Sequence, residues 1–211
     1  MQLGEMTMNE LIKKMQSMTF KQKITKGHDS AIIIPLIEKE GELMVLYEVR
    51  SALIRQPLEV CFPGGQIEAG ETPIQTAIRE LCEELLVDES QIEIINKLPS
   101  IKTASNHLIN PFVGILKAHD GQFNPDEVDH LMIVPLSYLL SNEPEVYKVN
   151  VKTVPNDDFP FDLIRGGRAY PWGTYQRPIY FYRYHDEVIW GLTAQMTKVF
   201  VDGLKDNLEK Q

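Results

Sequence analysis

The sequence predicts an α+β fold in which a mixed β-sheet lies between helices, and three observations predict it. Strand-like apolar runs outnumber helical patterns along the chain. One internal stretch, residues 72–86, has helical periodicity, and a further helical pattern stands near each end. No repeat, low-complexity tract or long linker interrupts the 211 residues, a length suited to one domain with a sizeable core plus an extension. We therefore expect residues 1–26 to form an N-terminal amphipathic helix and lead-in, and residues 27–211 to form a single domain ending in a helix.

In chain order, Met8, Leu11, Ile12 and Met15 recur at i, i+3, i+4 and i+7, the stripe of an amphipathic helix. Thr7-Met8-Asn9-Glu10 fits a capping box at its start. Such a stripe normally docks on its own domain; the alternative is a membrane surface. Strand-like runs follow at 31–37 and 43–49, joined through Gly41. Pro63-Gly64-Gly65 is read as a break that cannot continue a regular strand and that lets the backbone approach a ligand closely. Thr72 then caps a helix, with Pro73 at its first position and Gln75 placed to close a capping box. Ile74, Ala77, Ile78, Leu81 and Leu85 form its buried stripe. Further strands are predicted at 91–98, 112–116, 131–134, 147–151 and 179–184. The Pro- and Asp-rich stretch 154–160 reads as a loop. A last helix is predicted over 193–208, with Met196, Val199, Phe200 and Leu204 on one face.

Composition narrows the function class. A hydrophobic fraction of 43% and a charged fraction of 24% are those of a globular protein. No apolar run approaches the roughly 18–20 residues needed to span a bilayer, and residues 1–20 do not read as a signal peptide. Two cysteines, Cys61 and Cys82, cannot build a disulfide framework, so a reduced, cytoplasmic protein is expected. A net charge of -9 argues against sequence-independent nucleic-acid binding. An anionic small substrate stays open, because a bound cation reverses the local field.

Chemistry concentrates on the internal helix. Glu80, Glu83 and Glu84 stand at i, i+3 and i+4, so their carboxylates converge. The bland alternative is a solvated acidic face. The Gly-Gly segment just upstream and Arg79, able to orient or partly neutralise the acids, favour a metal site instead. Hard oxygen ligands that leave room for water and phosphate suit Mg2+ or Mn2+. Arg50 and Arg55 are candidate phosphate receivers, since guanidinium offers paired donors; either is alternatively a solvated loop charge.

Gly65, then five residues, Glu71, then seven residues, then Arg79-Glu80-Leu81-Cys82-Glu83-Glu84-Leu85-Leu86-Val87 resembles the Nudix box. The resemblance implies an α/β/α sandwich with the box helix on one side of a mixed sheet and the C-terminal helix on the other. It implies Glu80, Glu83 and Glu84 as metal ligands or catalytic base, and Gly65 as a backbone ligand. One position departs: Leu86 stands where the family usually has the Gly that ends the helix. Outside the box, Arg50-Ser51, Arg55 and Glu59-Val60-Cys61-Phe62-Pro63-Gly64-Gly65 are similar to the signature of the coenzyme A pyrophosphatase branch, with Leu58 where that branch commonly has Gly. Thr103-Ala104-Ser105, Asn110-Pro111-Phe112-Val113-Gly114, Asn124-Pro125-Asp126-Glu127-Val128 and Ile189-Trp190-Gly191-Leu192-Thr193-Ala194 resemble later segments of the branch. The implied activity is hydrolysis of the pyrophosphate of coenzyme A or its thioesters. A broader hydrolase of nucleoside-diphosphate-linked compounds such as ADP-ribose or NADH is the second reading, and a ligand-sensing protein without turnover the third.

Glu127 lies 43 residues after Glu84, where the family often carries an acid reaching the metal or the water; its alternative is a surface loop acid. The histidines, His28, His107, His119, His130 and His185, lack ligand spacing, so zinc is not expected. Cys61 and Cys82 are read as packing residues. Tyr170, Trp172, Tyr175, Tyr180, Phe181, Tyr182 and Tyr184 are by default strand core and sheet surface, with stacking of one ring on an adenine as the alternative.

Overall fold

Thr7 and Glu10 close the expected capping box on helix α1 (Met8–Ser17): the Glu10 N–H donates to the Thr7 hydroxyl at 3.3 Å and the Thr7 N–H to the Glu10 carboxylate at 2.9 Å. The computed structural model describes residues 7–18 and 29–210. His28, most of the 1–20 segment's start and the expected boundary after residue 26 lie outside the described residues. Leu11 and Met15 are buried in one cluster with Phe200 and Leu204 of the last helix, α4 (Gly191–Leu208), so the α1 stripe docks on its own domain. Asn96 Nδ2 takes up the free Met18 carbonyl at 2.8 Å just past the helix end.

β1 (Ser30–Lys39) and β2 (Glu42–Arg50) form an antiparallel hairpin, but they pair only from Leu36↔Val45 to Lys39↔Glu42. Beyond that point the two strands part. β3 (Val60–Cys61) continues on β2, whereas β4 (Gly64–Gln66) takes the freed edge of β1, with Ala31 opposite Gly65 and Ile32 opposite Gly64. This corrects the reading of Pro63-Gly64-Gly65 as a strand-breaking loop. The pair of glycines is itself a short strand, and the absence of side chains is what lets it lie there. A Cβ on Gly64 would sit 2.6 Å from the Ile32 Cα, and Gly64 has φ 151°.

Helix α2 (Pro73–Leu85) leads to β5 (Ile92–Lys97), β6 (Ile101–Lys102) and β7 (Leu108–Leu116). β7 runs parallel to β1, from Ser30↔Ile109 to Leu36↔Ile115, and this pairing makes the sheet mixed. β8 (Val128–Pro135) lies antiparallel on β2 and passes into a short helix, α3 (Leu136–Ser141). The central order is β3-β2-β1-β7-β5. β9 (Glu145–Lys152), β10 (Thr174–Tyr184) and β11 (Glu187–Trp190) make a separate antiparallel sheet. The strands expected at 147–151 and 179–184 therefore belong to a second sheet. β6, β11 and α3 are additions to the expected elements, and 154–160 is irregular as expected.

Strand alternation divides the core in two. Ala31, Ile33, Leu46 and Phe112 pack with Ala77, Leu81 and Leu85 of α2. Ile34, Val45, Tyr47 and Val113 face the other way, onto α1 and α4. The Tyr47 and Thr197 hydroxyls share a buried hydrogen bond of 3.0 Å across that layer. The result is a sheet between helices, the predicted α/β/α sandwich. Among the described residues no helix is long and apolar enough to cross a membrane.

Candidate active site

The parting of β1 from β2 sets the place of the site. α2 begins at Thr72, whose N–H donates to the Gln75 side-chain oxygen at 2.9 Å, with Pro73 in the first turn. It ends at Leu86, which adopts the left-handed conformation (φ 52°, ψ 45°) that a glycine would supply. Leu58, the other leucine at a family-glycine position, also has positive φ, 59°. Both turns are thus made as glycine would make them, at a cost of roughly 1–2 kcal/mol per residue for an L side chain.

Near the end of α2, Glu84 is buried and its carboxylate accepts the Gly64 N–H at 2.8 Å. Burial pushes its proton affinity up to about 8 against that hydrogen bond, and repulsion from Glu80 and Glu127 adds to it. Glu80 is also raised by burial, opposed by Arg79. A Cβ on Gly65 would collide with the Glu80 carboxylate, so β4 and α2 touch where any side chain displaces Glu80. Glu127 is brought to the same end of the helix. The Asn124 N–H donates to the Glu84 carbonyl at 2.8 Å, Asn124 Nδ2 to Glu127 Oε1 at 3.2 Å, and the Ser51 N–H to the Glu127 carbonyl at 2.8 Å.

Arg79 organises the outer half. It bonds Glu71 at 2.8 Å, Glu80 at 2.9 Å and Glu83 at 3.0 Å. Arg79 and the Thr76 hydroxyl together hold the Glu71 carboxyl down to about 2. Glu83 is half exposed and faces a shallow cleft with Glu71, Ile78, Cys82 and Glu89. The structure therefore gathers Gly65, Glu80, Glu84 and Glu127, with Arg79 behind Glu80, and turns Glu83 toward Arg79. Among the described residues no group of three or more His, Cys, Asp or Glu side chains is placed to hold a metal ion in this arrangement.

Beside the acids opens a cavity of about 420 Å³. Its lining includes Arg50, Cys61, Phe62, Gly64 and Gly65 together with Arg177, Ile179, Trp190, Leu192 and Met196. Arg50 is held by its Nε donating to the Arg55 carbonyl at 2.8 Å. Arg55 itself is exposed and does not line the cavity, in contrast to its expected equivalence with Arg50. Arg177 was not singled out in the sequence, and Trp190 stood there only within a branch-like segment: β10 and β11 bring them in from the second sheet, a distance in the chain that local patterning does not bridge. The Trp190 ring stacks on Phe181, with centroids 6.0 Å apart. Glu48 on β2 was also not singled out; it is 1% exposed, and its Oε1 has no hydrogen-bond partner among the described residues.

His130 and the two cysteines have other roles. His130 bridges Asp129 at 2.8 Å and Glu187 at 3.2 Å. Burial raises the Cys61 thiol to about 12, with Glu48 adding to the effect, and burial also raises Cys82. Neither is a ready thiolate, consistent with packing roles.

The family description "NUDIX domain" matches residues 26–160. The chain belongs to the Nudix family. Among its relatives, peroxisomal coenzyme A diphosphatase NUDT7 of Mus musculus is 36% identical over 132 residues, covering 61% of this chain and 55% of the relative. An uncharacterized Nudix hydrolase, NudL, of Photorhabdus laumondii is 31% identical over 180 residues, covering 82% and 83%. This Nudix chain thus spans about half the length of the mouse protein and most of the bacterial one. A solved structure of a C. elegans Ap4A hydrolase binary complex is similar at a TM-score of 0.46 and 20% identity, covering 55% of this chain and 85% of that one.

Proposed function

We propose that this Nudix protein is a divalent-metal-dependent pyrophosphohydrolase of coenzyme A and its acyl derivatives, releasing 3′-phosphoadenosine 5′-phosphate and (acyl-)4′-phosphopantetheine. The observation that carries the reading is a carboxylate cluster around the buried Glu84, beside a cavity lined by two arginines, Arg50 and Arg177. The name of the mouse relative and the branch-like segments around Arg50 and Trp190 support the choice of substrate.

The donor set fits a hard divalent cation. Glu80, Glu84 and Glu127, with the Gly65 carbonyl, offer oxygen only, and the buried Glu84 carboxylate is met by a backbone N–H and not by a cation. Glu83 would join on release from Arg79. When bound, Mg2+ or Mn2+ supplies charge neutralisation at the phosphate oxygens and acidifies water. The chain's own residues do the rest. Arg50 and Arg177 receive phosphate oxygens, with Arg50 aimed by the Arg55 carbonyl. Trp190, backed by Phe181, offers a flat face for an adenine. Glu80, Glu84 or Glu127 takes the proton of the attacking water. Arg79 steadies Glu80. We read residues 27–211 as one domain with α1 docked on it, acting in a reducing, cytoplasmic setting.

Coenzyme A, dephospho-coenzyme A and ADP-ribose, compared in one buffer with Mg2+ and with Mn2+, test the assignment. A charge-assisted contact to the 3′-phosphate is worth about 1.5–3 kcal/mol, or roughly ten- to a hundredfold in kcat/KM. Coenzyme A should exceed dephospho-coenzyme A by that factor, with 4′-phosphopantetheine detected by mass, and the gap should shrink in Arg177→Ala. Faster turnover of ADP-ribose would assign the broader activity instead, and no turnover with any compound would point to a ligand sensor.

A further inference from the structure

Strand β2 faces α2 with every second side chain. Leu46 packs among Ala77, Leu81 and Leu85 of that helix, while Val45, Tyr47 and Val49 point to the opposite core. Glu48 is therefore on the α2 side, one alternation beyond Leu46. Its strand neighbours are Cys61 on β3 and Leu131 on β8, and Leu131 packs against the same α2 cluster. An inward position of this kind ordinarily takes an aliphatic residue, because an isolated buried carboxylate costs several kcal/mol.

Arg50 offsets part of that cost by its charge, and no short hydrogen bond does so among the described residues. Glu48 is 1% exposed. One oxygen has only the distant Cys61 thiol, at 3.9 Å, and the other has no hydrogen-bond partner among the described residues. The charged groups that bear on it are Glu84, Arg50, Glu127 and Glu80, so it lies among the site's acids. Arg50, the cation in that group, is tied to the Arg55 carbonyl and lines the cavity. A structural role for Glu48 would call for a donor on each oxygen, and the structure provides none on Oε1. An additional cation at the carboxylate cluster would supply one.

We infer that Glu48 is a further carboxylate of the divalent-metal site, approaching it from β2 on the side of the sheet that carries α2. The inference rests on the metal-dependent reading above and extends its acid set to a strand residue outside the box. Glu48 then either contacts the ion directly or accepts from a water on it. In both cases its negative charge, and not its shape, is what the site uses.

Glu48→Gln keeps the shape and removes the charge, so it separates the two roles. The purified full chain is stripped with EDTA and titrated with Mn2+, free Mn2+ being counted by its electron paramagnetic resonance signal. Melting is followed in parallel with and without metal. We expect the metal-free variant to melt no lower than the parent, because a buried charge that is only partly compensated is gone. Its Mn2+ dissociation constant should rise by about tenfold or more, the range seen on loss of metal-supporting groups, and the metal-induced rise in Tm should shrink with it. A change in Mn2+ affinity below about threefold, in a folded variant, overturns the inference. If Glu48→Gln does not fold, Glu48→Asp, which keeps the charge, takes its place. Its Mn2+ affinity should stay closer to the parent's than that of Glu48→Ala, and equal affinity in the two overturns the inference. Absence of Mn2+ binding by the parent itself would instead sink the metal-dependent reading.

Discussion

Gly64 and Gly65 are neighbours in β4, yet a methyl group should act on them in opposite ways. On Gly65, the added Cβ would lie 2.6 Å from Glu80 Oε2 and closer still to the rest of that carboxylate. That is about 1 Å inside ordinary contact, which is near 3.5 Å for carbon. What it meets is the far end of a flexible side chain, and Gly65 has no positive φ, so the fold loses little. We expect Gly65→Ala to cost under about 1 kcal/mol in stability. Glu80, however, must swing out by about 1 Å, a displacement that costs roughly a hundredfold in rate when it falls on a catalytic group. On Gly64 the Cβ would meet the Ala31 carbonyl and Ile32 Cα, which are backbone atoms of the paired strand β1, and φ 151° adds strain. Gly64→Ala should therefore cost about 3 kcal/mol or more, lowering Tm by roughly 6–12 °C in a chain of this size. Scanning calorimetry and steady-state hydrolysis of coenzyme A on both variants decide the matter. Parent-level kcat in Gly65→Ala, or parent-level Tm in Gly64→Ala, would refute the close packing of β4 on Glu80 and β1.

Three further outcomes follow from the same geometry. Leu86→Ala and Leu86→Gly both remove a half-exposed side chain, but only glycine relieves the left-handed backbone, so the glycine variant should be more stable by about 1 kcal/mol; equal Tm values would refute the strain. Arg79→Lys loses the three-way bridge and should lower kcat at least as much as it raises KM. The same variant bears on acid resistance. Glu71 is held down to about 2, so its stabilisation is present above the usual carboxylate range and is lost as pH falls toward 2. The Tm of Arg79→Lys should lie below the parent's at neutral pH and the gap should close as pH falls toward 2, and superimposable Tm–pH curves would count against the bridge. Glu127→Gln should depress kcat more than affinity, and Asp126→Asn, at an exposed turn position, should do little; equal small effects would return Glu127 to the surface.

Which parts of this were readable beforehand has a physical pattern. α1, α2 and α4 declare themselves through 3.6-residue stripes and caps, and β1, β2 and β7 through long apolar runs. β4 escaped because a strand of two glycines and a glutamine has no side-chain signal; its identity depends on the edge that β1 exposes after parting from β2. The second sheet escaped because β9 and most of β10 are exposed, so no burial period marks which sheet they join. Within the site, Glu80 and Glu84 were legible because helical spacing makes them converge. Glu83 has the same spacing, but Arg79 at i−4 draws it outward. Glu48 sits in an apolar run and reads as a strand residue, although its place two residues after the inward-facing Leu46 was a usable signal. Arg55 and Arg177 exchange prominence for a non-local reason: the loop after β2 turns the first outward, while β10 carries the second to the cavity.

The central claim is that the acids at the end of α2 perform the hydrolysis, and Glu84 tests it most directly. Glu84→Gln conserves size and helix propensity and retains an oxygen for the Gly64 N–H. Turnover of coenzyme A is measured at saturating Mg2+, with circular dichroism confirming the fold. The account predicts a loss of activity by orders of magnitude in a folded protein. Hydrolysis by Glu84→Gln at the parent rate would contradict it.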